Sequence, residues 1–265
     1  MLLFGSTTLM MSSMEEMTVG SVEDDQNWDI QANVLLGGED EVIQWADDRG
    51  GYHERIITFP ANPVNDSRVI LANGMEVLST ESDVLIQLDL KEGKLPEAGL
   101  QTNQILIDEG LNHFLGWETG EIQTLMFGST PAPVEIVGIT QGEMARTVYF
   151  HRSDLANIVG VEATAVLIDL PEGEVADSDL GNVSLVVIEK EDLISSYESI
   201  LEQQQSFLGS ILFLGILIAI VVLFNTLIIN LSERDREIAT LRVLGAPMNR
   251  LGWMMFGEHL AIGLI

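Results

Sequence analysis

Residues Phe207–Leu231 read FLGSILFLGILIAIVVLFNTLIINL, and no charged residue occurs from Gln203 through Ser232. Twenty-five residues at the helical rise extend roughly 37 Å, enough to cross a bilayer core of about 30 Å with some tilt. A buried helix of a soluble protein usually draws on about 10–14 apolar residues, and this run is nearly twice that. The stretch predicts a transmembrane helix.

The flanks give its orientation. Arg234, Arg236, Arg242 and Arg250, four of the 12 basic residues, follow within a short loop. On the other side the nearest basic residue is Lys190. Orientation is set by Lys and Arg, so Glu233, Asp235 and Glu237 do not cancel the signal. The loop is expected in the cytoplasm, and everything before Phe207 outside it.

Charge supports this division. Four acids and four bases follow Phe207 and cancel, leaving 37 of the 41 acids and 8 of the 12 bases in the first 206 residues. That part alone carries the net charge of −29. It would repel phosphate backbones and anionic lipid, which excludes nucleic acid as a partner. Two explanations of the acidity stay open, a saline habitat or a cationic client; the scarcity of lysine (Lys91, Lys94, Lys190) favours the first. With no cysteine, disulfides, thiolate catalysis and cysteine-held metals are excluded.

Residues 1–14, MLLFGSTTLMMSSM, are too short to span and lack the basic start of a signal peptide, the first Arg being Arg49. They are expected to be the end of a truncated transmembrane helix. Residues 251–265 are expected to begin a further span, so the chain reads as a piece of a longer membrane protein. Between them, residues 15–190 predict an α+β domain of short strands at Ile30–Leu36, Arg55–Phe59, Arg68–Ala72, Val84–Leu90, Gln104–Ile107, Ile122–Phe127, Val134–Ile139, Ala163–Leu170 and Val183–Ile188. Three helices intervene: Glu39–Asp48, one capped by Asp108 and stopped by Gly116, and one capped by Ser153 and stopped by Gly160. Residues 191–206 place Leu193, Ile194, Tyr197, Ile200 and Leu201 at helical spacing and predict a stalk running into the 207–231 span. Its apolar stripe suits a neighbouring stalk.

Enzyme signatures fail in context. The one Gly-Lys pair, Gly93-Lys94, is followed by Leu95, and His53-Glu54 by Arg55, so neither a phosphate loop nor HExxH is present. His53, His113, His151 and His259 have no metal-ligand spacing. No cofactor, metal or catalytic residue is expected. Asn225 is the strongly polar side chain inside the apolar run and suits helix–helix hydrogen bonding.

After the span, Ser232 is expected to cap a helix with Glu233, Asp235 and Glu237 at its positive end; Gly245 and Pro247 stop it. Ile238, Leu241 and the stem of Arg242 share a face. Residues 232–250 thus predict a short amphipathic helix for a partner's groove, its mixed charge being unlike a lipid-bound helix.

These residues carry a family resemblance. FNTLIINLSERDREIATLRVLGA resembles the loop after the second membrane helix of FtsX/MacB-like ABC transporter permeases, keeping Glu233, Arg234, Arg236, Glu237, Ile238, Leu241, Arg242, Gly245 and Ala246. More loosely, ILIDEGLNHFLGWETGE with the later VEIVGI is similar to that family's extracytoplasmic core domain. The resemblance implies a non-catalytic multi-pass subunit of the plasma membrane, coupled to a separate ATPase through Glu233, Arg234, Arg236, Glu237, Ile238, Leu241, Arg242 and Gly245. It also implies a second permease copy or half, and the export or extrusion of a lipoprotein, peptide or small molecule. The reading from a different class is a membrane-anchored extracytoplasmic binding or sensor protein without an ATPase; an anchored hydrolase lacks any catalytic constellation.

Overall fold

The computed structural model describes residues 25–64, 66–99, 103–141, 146–233 and the single positions 239, 243 and 253. It divides into one unit up to Glu202 and a second from Gln203 onward.

Short β-branched and aromatic runs in the first unit pair into one sheet. Its strands are β1 (Ile30–Asn33), β2 (Tyr52–Pro63), β3 (Ile70–Met75), β4 (Leu90–Gly93), β5 (Gln104–Asp108), β6 (Ile122–Phe127), β7 (Thr130–Thr140), β8 (Thr147–His151), β9 (Ala165–Asp169) and β10 (Val186–Glu189). The order is β10-β1-β9-β2-β3-β8-β5-β7-β4, with β6 paired to β2 and β7. Pairs β3–β8 and β5–β7 are parallel and the others antiparallel. Four helices accompany it: α1 (Glu39–Asp48), α2 (Glu109–Leu115), α3 (Arg152–Val159) and α4 (Ser178–Val183).

Strand alternation sorts the side chains to two unlike faces. Ile57, Ile105, Ile107, Val148 and Phe150 form one apolar layer with Leu111 of α2 and Leu155 of α3. Ile30, Ala32, Val166 and Ile168 meet Val42 and Trp45 of α1 and Leu180 of α4. Ile168 pairs with His53, which lies on the same face of β2 as Ile57, so both layers cover one side of the sheet. Helices gathered on one face of a mostly antiparallel sheet make this a mixed α/β domain of the α+β kind expected.

The opposite face is crossed by residues 76–89, a strap rather than a layer. Met75, Leu78, Leu88, Leu106, Val137 and Tyr149 form a small core under one part of it. Trp28, Ile56, Leu85, Ala165 and Leu167 form another. Asn27 N–H donates to Leu85 O at 2.8 Å, Gln87 N–H to Asp25 O at 2.7 Å and Leu88 N–H to Ser79 O at 2.9 Å. Beneath it the buried Glu54 carboxylate accepts from Tyr52 Oη at 3.1 Å and from the backbone N–H groups of Leu85 and Val77. Burial pushes the Glu54 carboxyl above its ordinary range, and these hydrogen bonds oppose the rise. At the strap's start Glu76 accepts from Arg55 N–H at 3.0 Å, with the guanidinium groups of Arg55 and Arg152 at 3.0 Å and 3.8 Å. Burial there works against ionisation, but the Arg55 hydrogen bonds and both positive charges hold the carboxyl below its ordinary range.

Several expectations change. Val84–Leu90 is not one strand: Val84–Asp89 is strap, with bridges only at Ile86 and Gln87, because Leu85 and Leu88 drop into separate cores, and Leu90 opens β4. Strand β4 follows it instead, and β8 and α4 are additional elements. Val183 ends α4 rather than starting a strand, held by Asp177, whose carboxylate accepts from Asp179 N–H and Leu180 N–H. Ser153 does not cap α3; His151 is the cap residue and Ser153 lies inside the helix. Asp108 does cap α2, accepting from Leu111 N–H at 2.8 Å. Gly116 and Gly160 end α2 and α3 at φ 69° and 73°, in the left-handed region that suits glycine.

Candidate membrane and coupling segment

Helix α5 (Lys190–Glu233) has 44 residues, an extent of roughly 66 Å at the helical rise. It begins at the sheet. Lys190 N–H donates to Asp29 O at 2.8 Å, its ammonium donates to Gln26 O, and Leu193 packs against the small core containing Trp28. Glu191 and Asp192 in the first turn suit the positive end of the helix dipole. Beside this turn Asp29 accepts from Leu170 N–H at 2.8 Å. Burial, the Asp29 charge and an Asp29 hydrogen bond together raise the neighbouring Asp169 carboxyl.

Farther along, the side chains are exposed among the described residues. Phe213 is 67% exposed, Ile218 57% and Val222 58%. The stretch is long and apolar enough to cross a membrane, and none of its most apolar part is buried. Helical backbone satisfies its own amides, and the hydroxyls here do likewise: Ser210 donates to Ser206 O at 2.8 Å and Thr226 to Val222 O at 2.9 Å. Asn225 lies in α5, exposed, and its amide has no hydrogen-bond partner among the described residues. An amide so placed in hydrocarbon calls for another helix or water.

The other anticipated site residues fall at or beyond the end of this helix. Ser232 lies inside α5 and does not cap a new helix, since α5 runs on to Glu233. Arg234, Arg236, Glu237, Ile238, Leu241, Arg242 and Gly245 lie outside the described residues, as do residues 1–14. Among the described residues no group of three or more His, Cys, Asp or Glu is arranged to hold a metal ion.

Comparison with known proteins falls on the same place. Residues 209–265 match the family model described as FtsX-like permease C-terminal. The chain's membrane-side segment is similar to the FtsX-like permeases. The match contains the apolar run from Gly209 onward and the eight residues expected to take part in coupling. No curated protein matches the chain. Among solved structures, the periplasmic region of MacB from Actinobacillus actinomycetemcomitans is similar at 11% identity and a TM-score of 0.39, covering 65% of this chain and 92% of that one. The extracellular domain of the noncanonic ABC-type transporter YknZ from Gram-positive bacteria is similar at 14% identity and a TM-score of 0.39, covering 65% and 95%.

What sequence reasoning missed in this region is the seat of α5. Lys190 binds the helix start to Asp29 through the main chain and to Gln26 through its ammonium, across about 160 positions, and Leu193 adds an apolar contact. Lys190, the sole basic residue near that end, was the available signal.

Proposed function

We propose that this chain is the permease subunit of an ABC-type transporter or mechanotransmission complex, driven by an ATPase on a separate chain. The observation that carries this reading is the coincidence of three features: a membrane-length helix, an Arg-rich motif directly after it, and the FtsX-like match over both. The ATPase docks on residues 232–250 at the cytoplasmic side, with Ile238 and Leu241 as apolar contacts and Glu233, Arg234, Arg236, Glu237 and Arg242 as polar ones. Gly245 ends the docking helix. The acidic domain lies outside, and movement at the docking helix reaches it through α5. Asn225 bonds to a further membrane helix, of this chain or of a second permease copy. The cargo is a lipoprotein, peptide or small molecule.

Leu241→Asp tests the docking. A charge forced into a docked apolar contact costs about 3 kcal/mol, whereas at a solvent-facing position it costs about nothing. In the full-length complex the variant is expected to insert in the membrane normally, to lose most of its co-purifying ATPase and to transport poorly. Normal association and transport by Leu241→Asp would show that this helix does not couple the two chains.

A further inference from the structure

The centre of the sheet's strap face is polar where a covered sheet centre is ordinarily apolar. Thr58, Asn73 and Tyr149 stand in register on adjacent strands β2, β3 and β8. Thr58 donates to Asn73 Oδ1 at 3.0 Å. Tyr149 belongs to one of the two small cores, and the two share only Ile86. Between them is a cleft of about 180 Å³, walled by the strap's Ile86–Asp89 and by Asp25, Gln26 and Trp28. Nothing in the fold requires this gap, since apolar side chains in the row would join the two cores and close it.

We propose that this cleft binds a small organic cation, an amine or a quaternary ammonium group on a short apolar body. Three observations select that class. Among the described residues the lining carries two carboxylates, Asp25 and Asp89, and no Lys, Arg or His. An anion is rejected there, and the net charge of −29 adds a long-range field that concentrates cations. Behind a mostly polar rim, the edges of the buried Trp28 and Tyr149 with Ile56, Met75 and Leu167 give the cleft a small aromatic and apolar floor that suits the weakly hydrated body of such a cation. Size sets the last limit: the cleft is smaller than the about 300–1,000 Å³ of drug-sized sites, so it takes one small molecule or a single side chain.

The cleft also touches the seat of α5. Gln26, in its wall, accepts from Lys190, and Trp28 shares a core with Leu193. An occupant thus bears on the residues that fix the first turn of the helix, within the same unit. The binding claim itself stands whether or not an ATPase docks on residues 232–250.

Calorimetric titration of the purified full chain in nanodiscs, at constant ionic strength, tests it with choline as probe and glycerol and acetate as controls. Saturable choline binding is expected, with none for acetate or glycerol. Asp89→Asn should weaken it about tenfold, the effect of losing one charge-assisted contact. Asp40→Asn, an exposed acid on α1 away from the cleft, should leave it unchanged. Asn73→Leu fills the cleft floor and should abolish binding, and it decides the matter if Asp89→Asn fails to fold. The proposal is overturned by the absence of saturable choline binding, by equal binding of glycerol or acetate, or by equal weakening in Asp40→Asn, which would mark a diffuse surface effect.

Discussion

The sheet domain and α5 use the same side chains to opposite ends. Ile57 and Ile105 are fully enclosed by strands and helices of their own unit. Ile218 and Val222 are more than half exposed in theirs. In the domain, apolar residues alternate with polar ones, because each strand has two faces and only one meets the helix-covered core. In α5 between Phe207 and Thr226 they are continuous, because lipid presents the same solvent to every side of a helix. Both the density of apolar residues and their period separate the two regions. The enclosing medium is protein in one case and bilayer in the other.

The largest effect expected from this contrast comes from putting charge into α5. Ile218→Asp with Val222→Asp places two acids one turn apart, each costing about 3 kcal/mol at the centre of a membrane helix. Resistance of the chain to alkaline extraction from membranes should fall sharply, while the folding of the sheet domain stays intact. If the double variant is retained as firmly as the parent, α5 does not meet lipid on that face.

Next in size is the reciprocal change inside the domain. Phe150 is fully buried and meets Phe127 edge-on with ring centroids 6.1 Å apart. Phe150→Ala should cost about 3–5 kcal/mol, the transfer of the ring plus the cavity it leaves. Urea unfolding followed by tryptophan fluorescence in micelles reads this, and membrane retention should not change. Loss of both together would mean that the two units fold as one cooperative body.

How much of this was legible in the sequence follows from the range of the interactions. The α5 run, helix Glu39–Asp48 and the Asp108 and Gly116 ends of α2 are set by neighbours within a few residues, and all three were readable. The strap was not. Val84–Leu90 has the composition of a strand, yet Leu85 and Leu88 serve two cores built from residues elsewhere in the chain, and that partition has no local signature. Helix α4 contains Gly181 and only six residues, too few to nucleate alone. It exists because Leu180 packs with Trp45 and because Asp177 both caps it and accepts from Trp45 Nε1 at 3.0 Å. The polar row Thr58–Asn73–Tyr149 is invisible for the same reason, since register brings it together. The residues proposed for docking are the reverse case: their motif is plain in the sequence, and all but Glu233 lie outside the described residues.

The smallest effect concerns the strap and separates its buried carboxylate from the exposed acids around it. Glu54 is held above the ordinary carboxylate range by burial, while the Tyr52 hydroxyl and the Leu85 and Val77 amides pull it back. A carboxyl raised in the folded state binds more protons there than in the unfolded chain, between the two values. Its contribution to stability is therefore fully present below the unfolded value and lost as pH rises through the folded one. Glu76, lowered by Arg55 and Arg152, contributes with the opposite sign, present above the ordinary range and lost on acidification. Tyr52→Phe removes one donor to the ionised Glu54, so its titration should move further up. The variant should lose about 1 kcal/mol at neutral pH, where the carboxylate needs that donor, and less once Glu54 is protonated. Carbon-13 titration of the glutamate carboxyl signals, alongside urea unfolding at neutral and acid pH, measures both. A Glu54 midpoint that stays fixed or falls in Tyr52→Phe would show that the hydroxyl does not stabilise the charge, and the strap would then rest on its apolar cores alone.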